Sequence, residues 1–213
     1  TKSRPLPTER ISIDEALLIS LFLILTGFGL LISKVNVTAA FLTLISMILY
    51  AFMYTPMKRI SPFCVLVGAF PGALPPLIGW VAATGKLGTE AWIIFGLQFI
   101  WQFPHFWSIA WILDEDYCKA GFKMLPSHGG KTDKTAFQIM IYTVTLIPLG
   151  ILPTLIGIVG PVSAVIAVLC GVLFSIQTFI LMKEKSSKAA KKIMFSSFIY
   201  LPIVQITFIL DKI

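Results

Sequence analysis

Three consecutive acidic side chains, Asp114, Glu115 and Asp116, are the clearest candidates for chemistry in this chain. They belong to a set of only 10 acidic residues among 213, and they follow one of the most apolar segments. Mg²⁺ typically takes one or two protein carboxylates, keeps some water and completes its octahedron with substrate phosphates. The cluster therefore favours a divalent cation that holds a diphosphate. The alternative is an acidic patch solvated by lipid headgroups and neutralised by Lys119 and Lys123.

Polar residues continue from this cluster into the preceding apolar segment. Residues three and four positions apart share one face of a helix, so Gln98, Gln102 and His105 are predicted to lie on the same side as Asp116. At 1.5 Å per residue, His105 would lie about 16 Å from Asp116 along the helix axis. Polar groups at that depth in a membrane normally face a cavity or a protein partner. The row is predicted to line a substrate cavity, and the alternatives are hydrogen bonds to neighbouring helices or an ion path through a transporter.

A second group of residues has the chemistry of an anion site. Tyr54 and Lys58 stand four positions apart with Arg59 beside them, so a phenol and two cations can point at one anion. Arg4 adds a further cation near the beginning of the sequence. These side chains are predicted to bind a diphosphate. Anchoring of a helix end at the membrane surface is the simpler explanation for Lys58 and Arg59 taken alone.

The composition requires a membrane to position these groups. With 57% hydrophobic residues, 13% charged residues and a mean hydropathy of +0.90, the chain cannot keep the charged surface of a soluble domain. A membrane-spanning helix needs about 20 apolar residues. Segments that satisfy this requirement lie at about 15–33, 37–54, 62–83, 91–113, 135–157, 162–182 and 193–210. The sequence therefore predicts an all-α polytopic membrane protein, with one domain over residues 1–213 and seven transmembrane helices.

The basic residues predict the orientation of these helices. The net charge is +7, and 14 of the 17 lysine and arginine residues lie on one side of the predicted helices. These 14, which include Lys2, precede the first helix or lie near the connections after the second, fourth and sixth helices. The exceptions are Lys34, Lys86 and Lys212. Because cytoplasmic loops collect Lys and Arg, these basic segments are predicted to face the cytoplasm or the mitochondrial matrix. The run KEKSSKAAKK is predicted to be an inner loop that contacts anionic lipid. Nucleic-acid binding has no support.

Five stretches together resemble one family of enzymes. They are TKSRPLP, YTPMKR, LVGAFPGALPPLIGW, WQFPHFWSIAW and DEDYCKAGFKMLP, and they run from Thr1 to Pro126. Together they are similar to the protoheme IX farnesyltransferases, also called heme O synthases, within the UbiA-type superfamily of intramembrane prenyltransferases. The number and order of the later helices agree with that family. Because the stretches are long and specific to this subgroup, the resemblance is much stronger than a single motif.

The resemblance implies a nine-helix bundle with a lipid-open central cavity. Two acid-bearing inner loops of such a bundle bind a prenyl diphosphate through Mg²⁺. In the family, the first of these loops stands immediately before the segment that TKSRPLP resembles. Thr1 is therefore expected to begin just after that loop, two helices into the family's fold. A chain that truly began at Thr1 would lack half of the metal site and would be inactive.

The resemblance also implies roles for the basic and aromatic candidates. Arg4 matches the second arginine of the family segment, and Tyr54 with Lys58 matches the superfamily's Tyr-x-x-x-Lys pair, so all three are implied to bind diphosphate. The full set of implied substrate-binding residues is Arg4, Tyr54, Lys58, Arg59, Gln102, Tyr117 and Lys119. Lys58 is also implied to be catalytic, because a cation stabilises the negative charge of a departing diphosphate.

The resemblance likewise implies roles for the acidic cluster and for His105. Asp116 with Tyr117 resembles the core of the second acidic motif, which makes Asp116 the best candidate for a catalytic Mg²⁺ contact. The superfamily's usual Asp-x-x-x-Asp spacing is absent here, so Asp114 and Glu115 stay open as further metal ligands. His105 matches the family's histidine and is expected to position or ligate the porphyrin iron, or to hydrogen-bond the reacting pyrrole edge.

The implied activity is transfer of the farnesyl group of farnesyl diphosphate to the 2-vinyl group of heme B. The product is heme O, which serves the biogenesis of heme-copper oxidases. The expected partners besides the lipid bilayer are heme A synthase or oxidase assembly proteins. The expected location is the bacterial inner membrane, with the active site on the cytoplasmic side, rather than the mitochondrial inner membrane. The alternatives are a UbiA-type prenyltransferase that acts on a quinone or phenolic acceptor, and a seven-helix transporter.

Overall fold

Long helices account for most of the chain. The computed structural model describes residues 3–127 and 130–213, so the expectations for Thr1 and Lys2 lie outside the described residues. Within the described ranges, the long helices are α1 (Ile13–Lys34), α2 (Val37–Met57), α3 (Cys64–Thr84), α4 (Thr89–Ile112), α6 (Asp133–Leu155), α7 (Pro161–Glu184) and α8 (Ser187–Leu210), and the short helix α5 (Asp114–Lys119) follows α4. Each of the seven predicted apolar segments overlaps one long helix. The all-α fold class is confirmed.

Six of these helices, α1 to α3 and α6 to α8, are long and apolar enough to cross a membrane. Helix α4 is also 24 residues long, but it carries Gln98, Gln102 and His105 in its interior. It packs against α3, α6 and α8 at the centre of the bundle, so these polar side chains have protein neighbours. Helix α1 has no buried residue and presents a nearly continuous apolar surface. The protein is therefore an integral membrane protein.

Capping side chains explain why two of the connections are so short. The Asn36 Oδ1 atom accepts a hydrogen bond from the Ala39 N–H at 2.8 Å, so α2 starts directly after α1. Ser186 accepts from the Ala189 N–H at 3.1 Å in the same way. Because of this cap, and because Ala189 is buried, α8 begins at Ser187 rather than at residue 193. Most of KEKSSKAAKK is therefore helical, and the prediction of an inner loop there was wrong.

The acidic cluster lies at the start of a helix rather than at the end of one. Helix α4 ends at Ile112, and Leu113 leaves helical geometry with φ −99° and ψ 16°. Asp114, Glu115 and Asp116 then form the first turn of α5. Carboxylates are stabilised near a helix N-terminus and destabilised near a C-terminus. The break at Leu113 also interrupts the single helical face that was predicted to join Asp116 to the polar row of α4.

The helices run alternately up and down, which separates the connections into two ends. The connections after α2 and α4 are joined by a hydrogen bond in which the Lys123 N–H donates to the Lys58 carbonyl at 2.8 Å. The opposite end includes the α1–α2 connection, where the Asn36 amide donates to the Val81 carbonyl at 2.9 Å. We call the first of these the basic end, because it carries the predicted excess of lysine and arginine.

Glycines allow α6 and α7 to approach closely. A Cβ atom added to Gly150 would lie 2.7 Å from the Ala167 Cβ, and one added to Gly171 would lie 2.7 Å from the Ile147 Cγ1. Small residues are the usual means of close helix contact in a bilayer, where the hydrophobic effect does not drive helices together.

We expect Gly150→Val to destabilise the bundle by about 1–3 kcal/mol, the usual cost of overpacking a filled interface. The comparison is Gly96→Val, because a Cβ at Gly96 has no neighbour within 4 Å. Thermal unfolding of the detergent-solubilised protein should begin at a lower temperature for the Gly150 variant than for the Gly96 variant. Equal unfolding temperatures would contradict the close α6–α7 contact.

Candidate active site

A cavity of about 790 Å³ opens between α2, α3 and α4. Tyr54 lies towards its basic end, and Gln102 and Phe106 contribute to its wall from α4. Along α3 the lining runs from Val65 to Gly79, which corresponds to about 21 Å at 1.5 Å per residue. The lining is mostly apolar. A cavity of this length and character suits a long hydrocarbon chain whose polar end stays at the basic end.

The wall that α2 contributes contains an irregular turn. Between Leu49 and Tyr54 the backbone is a π-helix, followed by Pro56. Proline has no N–H, so the normal hydrogen bond to the carbonyl four residues earlier cannot form. The Thr55 backbone N–H reaches the Tyr50 carbonyl five residues earlier, and the Thr55 hydroxyl donates to the same carbonyl at 2.8 Å. Short π segments are frequent at functional sites, and this one brings the rings of Tyr50 and Tyr54 to a centroid distance of 5.3 Å on the cavity lining.

The structure brings the predicted Tyr54 and Lys58 pair together. The Lys58 Nζ atom lies 4.2 Å from the centroid of the Tyr54 ring and 5.9 Å from the centroid of the Tyr50 ring. A cation over an aromatic face is stabilised by the ring quadrupole. This interaction holds the Lys58 ammonium beside the cavity, at the end where the charged part of a substrate would lie.

Arg59 and Tyr117, which were also predicted to bind the substrate, contact the connection that follows α5. The Arg59 guanidinium lies 5.8 Å from the Phe122 ring centroid, and the Phe122 ring lies 6.2 Å from the Tyr117 ring. The backbone hydrogen bond between Lys123 and Lys58 fixes the same two connections. Burial raises the pKa of the Tyr117 phenol above its ordinary value, so this group remains a hydrogen-bond donor at neutral pH.

The predicted metal ligands Asp114, Glu115 and Asp116 belong to the same short helix as Tyr117. The Asp116 Oδ1 atom is 4.0 Å from the Lys119 Nζ, with side chains that are 77% and 76% exposed, so the pair adds little stability. Asp114 is half-buried and Glu115 is exposed. In the part of the chain that the structure describes, no three His, Cys, Asp or Glu side chains converge as a metal site. Separate, accessible carboxylates are still suitable ligands for Mg²⁺. This ion needs only one or two protein carboxylates when water and phosphate oxygens complete its coordination shell.

Gln102 is buried in the cavity wall, and a glycine makes room for it. Its Nε2 atom donates to the carbonyls of Ala69 at 3.1 Å and Gln98 at 3.2 Å, and the residue is only 2% exposed. A Cβ atom on Gly72 would overlap the Gln102 Oε1 atom. One turn earlier, a Cβ on Gly68 would lie 2.7 Å from the Tyr54 ring. The two glycines of α3 thus accommodate side chains of the cavity wall.

We expect Gly72→Ala to lower catalytic activity about tenfold, because the added methyl displaces Gln102 from its hydrogen bonds and into the cavity. Gly96→Ala is the matched control, since that glycine lies on α4 with open space around its Cβ position. Initial rates at saturating substrate would test this expectation. Equal rates for the two variants would show that the position of Gln102 is unimportant.

His105 faces a different neighbour from Gln102. Its Nδ1 atom lies 2.7 Å from the Ser197 Oγ atom of α8, and its ring stacks on Trp101 at a centroid distance of 4.7 Å. Gln98 also faces α8, where its Oε1 atom accepts from the Gln205 amide at 3.1 Å. The predicted row of polar residues is therefore divided, with Gln102 in the cavity wall and the other two members at the contact between α4 and α8.

Arg4 is the candidate nearest the beginning of the sequence. It belongs to the turns that precede α1, where its carbonyl accepts from the Thr8 N–H at 3.1 Å. Among the described residues, no hydrogen bond or ion pair joins its side chain to the groups around Lys58. Its implied role in diphosphate binding has no supporting contact.

Sequence reasoning missed three contributors to this site. They are Tyr50, which lies under Lys58; Gly72, which accommodates Gln102; and Ser197, which contacts His105. Pro56 is a signal for the first, because a proline just after a run of aromatic residues predicts a disturbed helical turn. The spacing of Gly68 and Gly72 indicates a close helix contact, but it does not identify Gln102 as the partner. Ser197 contacts His105 from a different helix, and the sequence carries no local signal for that contact.

A membrane-embedded helical bundle with a long apolar cavity fits an enzyme that acts on prenyl chains. The chain belongs to the UbiA prenyltransferase family, whose model matches residues 1–201. The chain is 53% identical to the protoheme IX farnesyltransferase of Cytophaga hutchinsonii, over 100% of this chain and 74% of that protein. It is 46% identical to the protoheme IX farnesyltransferase of Flavobacterium psychrophilum, over 100% of this chain and 71% of that protein.

A solved structure agrees with this assignment. It comes from work on digeranylgeranylglyceryl phosphate synthase in membranes, and it superposes with a TM-score of 0.80 at 25% sequence identity. The superposition covers 98% of this chain and 73% of the other. The likeness therefore extends over the whole helical bundle described above.

Proposed function

We propose that this protein transfers the farnesyl group of farnesyl diphosphate to a vinyl group of heme B, with addition of one water, to give heme O and diphosphate. The observation that carries the proposal is the 53% identity, over the full length of this chain, to a protoheme IX farnesyltransferase. The cavity between α2, α3 and α4 supplies a physical basis, because it combines a long apolar wall with a lysine at its basic end.

In this proposal, Lys58 contacts the diphosphate of the substrate. Its ammonium is held over the ring of Tyr54, from which it can reach an anion at the end of the cavity. A cation placed there stabilises the negative charge that develops as the bond between the farnesyl carbon and oxygen breaks. The Tyr54 and Tyr117 phenols and the Arg59 guanidinium are further donors at the same end of the bundle.

Asp116 is the proposed ligand of a Mg²⁺ ion, with Asp114 or Glu115 as a second carboxylate. When bound, the ion would neutralise part of the charge on the departing diphosphate. The carboxylates are exposed or half-buried at the basic end, which leaves room for the water and phosphate oxygens that Mg²⁺ requires. The Lys119 ammonium, 4.0 Å from Asp116, is the proposed counter-charge when the substrate is absent.

The apolar wall has a chemical role as well as a binding role. The allylic cation that develops on the farnesyl group reacts rapidly with water, so water must be kept away until the vinyl group attacks C1 of that cation. The second cation, next to the porphyrin ring, then takes a hydroxyl from water and a proton is released. Gln102 and Phe106 line the cavity on the α4 side, and we propose that the acceptor lies there, within reach of His105.

The proposed location is the bacterial inner membrane, with the basic end and its active site on the cytoplasmic side. The distribution of lysine and arginine supports this orientation. Farnesyl diphosphate is anionic, so an active site at the cytoplasmic face lets it enter without moving its charge through the bilayer. Heme A synthase and oxidase assembly proteins are the proposed partners, because they would take up the product.

A competition between acceptors tests the proposal against its nearest alternative. The purified protein in lipid vesicles receives farnesyl diphosphate and Mg²⁺ with equal amounts of heme B and 4-hydroxybenzoate, a phenolic acceptor. We expect the farnesyl group to appear on heme only. A farnesylated phenol would keep the family assignment and overturn the choice of acceptor.

A further inference from the structure

The contact between α4 and α8 contains a chain of buried hydrogen bonds that the proposed reaction does not explain. The His105 Nδ1 atom lies 2.7 Å from the Ser197 Oγ atom, which in turn lies 2.6 Å from the Met194 carbonyl oxygen. The Trp101 indole N–H donates to the Ser197 carbonyl at 3.0 Å. His105 is 8% exposed and Ser197 is fully buried, so these groups must satisfy one another.

The number of available protons determines which group donates in the hydrogen bonds of Ser197. A serine hydroxyl carries one proton and a carbonyl oxygen carries none, so the contact between Ser197 and the Met194 carbonyl requires the hydroxyl to donate. The hydroxyl then offers only lone pairs to His105, and the Nδ1 atom must carry the proton that it shares. This arrangement favours the Nδ1–H tautomer of the neutral imidazole, with the free lone pair on Nε2.

Aromatic neighbours hold the ring in this orientation. The imidazole stacks on Trp101 with an interplanar angle of 12°, and the rings of Phe106 and Phe198 lie edge-on to it at 5.3 Å and 5.0 Å. Among the described residues, no hydrogen-bond donor occupies Nε2. Phe106 also lines the substrate cavity, and its ring is the contact between His105 and that cavity.

We propose that Ser197 is a positioning residue, which holds His105 as the Nδ1–H tautomer and thereby presents the Nε2 lone pair to the iron of the porphyrin substrate. The proposal rests on the proposed function, which supplies the iron. Metal-binding histidines commonly donate their other ring N–H to a fixed acceptor, and loss of such an acceptor typically weakens metal binding by about 10–100-fold. Here the acceptor, Ser197, belongs to α8, so the packing of α8 on α4 determines which nitrogen of the His105 ring carries the proton.

The first test measures the tautomer directly, without heme or farnesyl diphosphate. Protein with ¹⁵N-labelled histidine is placed in lipid nanodiscs, and the ¹⁵N signals of His105 are those that a His105→Ala variant lacks. We expect a protonated Nδ1 and an unprotonated Nε2 in the unaltered protein, and a shift towards protonated Nε2 in Ser197→Ala. A protonated Nε2 in the unaltered protein, or an unchanged tautomer in Ser197→Ala, would overturn the proposal.

The control is Ser175→Ala, which also removes a buried serine hydroxyl. The Ser175 hydroxyl donates to the Gly171 carbonyl of its own helix at 2.8 Å. It has no contact with His105, so the histidine signals should not change in this variant. A change of the same size in both variants would mean that general loss of packing, rather than the hydroxyl of Ser197, controls the tautomer, and the proposal would fall.

The second test measures heme B binding through the Soret absorption of the ferric heme, with heme as the only ligand. We expect Ser197→Ala to weaken binding about tenfold and to move the spectrum towards that of His105→Ala, while Ser175→Ala keeps the original spectrum. If His105→Ala binds heme with an unchanged spectrum, His105 is not an iron ligand and the inference is overturned. If the tautomer and the spectra behave as expected but no heme O forms, the proposed reaction fails and the positioning role of Ser197 stands.

Discussion

Replacement of Asp116 by Asn should reduce the rate of farnesyl transfer about 100-fold or more while leaving the fold intact. The side chain is 77% exposed and its ion pair with Lys119 is long, so its removal costs little stability. A carboxylate that holds a catalytic cation has a large effect only in the reaction, where it supports charge on the departing diphosphate. A 100-fold change corresponds to about 2.7 kcal/mol of transition-state stabilisation.

The matched control is Asp133→Asn at the same end of the bundle. Asp133 is also exposed, at 75%, and its Oδ1 atom lies 2.6 Å from the Lys185 Nζ, so the control removes an exposed carboxylate with a closer ion pair. Initial rates measured over a range of Mg²⁺ concentrations should show a lower rate and a higher Mg²⁺ requirement for Asp116→Asn alone. Similar rates for the two variants would remove Asp116 from the active site.

Lys58→Gln should have an effect of similar size, about 100-fold on kcat/KM for farnesyl diphosphate. Its ammonium lies over Tyr54 at the end of the cavity, where it is placed to hold the diphosphate and to stabilise its departure. Loss of one preorganised donor to a developing oxyanion typically costs 100-fold or more. A glutamine keeps a hydrogen-bond donor on a side chain one atom shorter, so the change removes the charge but not the polar group.

Lys192→Gln provides the comparison for this change. Lys192 is an exposed lysine near the basic end of α8, outside the groups around the cavity. If the basic excess served only to orient the helices, neutralising either lysine would have the same small effect. A large loss in the Lys58 variant alone supports a specific diphosphate contact, and equal losses would contradict it.

Much of the fold could be predicted because the bilayer imposes strong requirements on a sequence. An apolar run long enough to cross it, such as residues 162–182, has little choice but to form a helix that satisfies its own backbone. The start of α8 was less predictable, because the pattern of Lys and Ser residues predicts a loop. The Ser186 cap and the buried Ala189 extend the helix into that segment. Tertiary contacts therefore determine where α8 begins.

The site was predictable where its residues are neighbours in sequence. Tyr54 and Lys58 belong to adjacent turns, and their spacing alone predicts that they meet. The row from Gln98 to His105 was only partly correct, because residues three and four apart on a helix diverge enough to reach different neighbours. Ser197 lies 92 residues from His105 along the chain, and no local pattern identifies a partner at that distance.

The acidic cluster shows the limit of an argument from one helix. If Asp114, Glu115 and Asp116 ended α4, they would oppose its macrodipole, and function would be needed to explain their presence. The break at Leu113 places them instead in the first turn of α5. Their position is therefore compatible with stability, and the case for a metal rests on their accessibility at the basic end, on the same short helix as Tyr117.

The mass of the product formed in ¹⁸O-labelled water shows whether the protein adds both a farnesyl group and water to heme B. The purified protein in lipid vesicles is incubated with heme B, farnesyl diphosphate and Mg²⁺, and the porphyrin is extracted for mass spectrometry. We expect a heme that has gained one farnesyl group and one ¹⁸O hydroxyl, together with release of diphosphate. Recovery of unaltered heme B, or a farnesylated heme without oxygen from water, would contradict it.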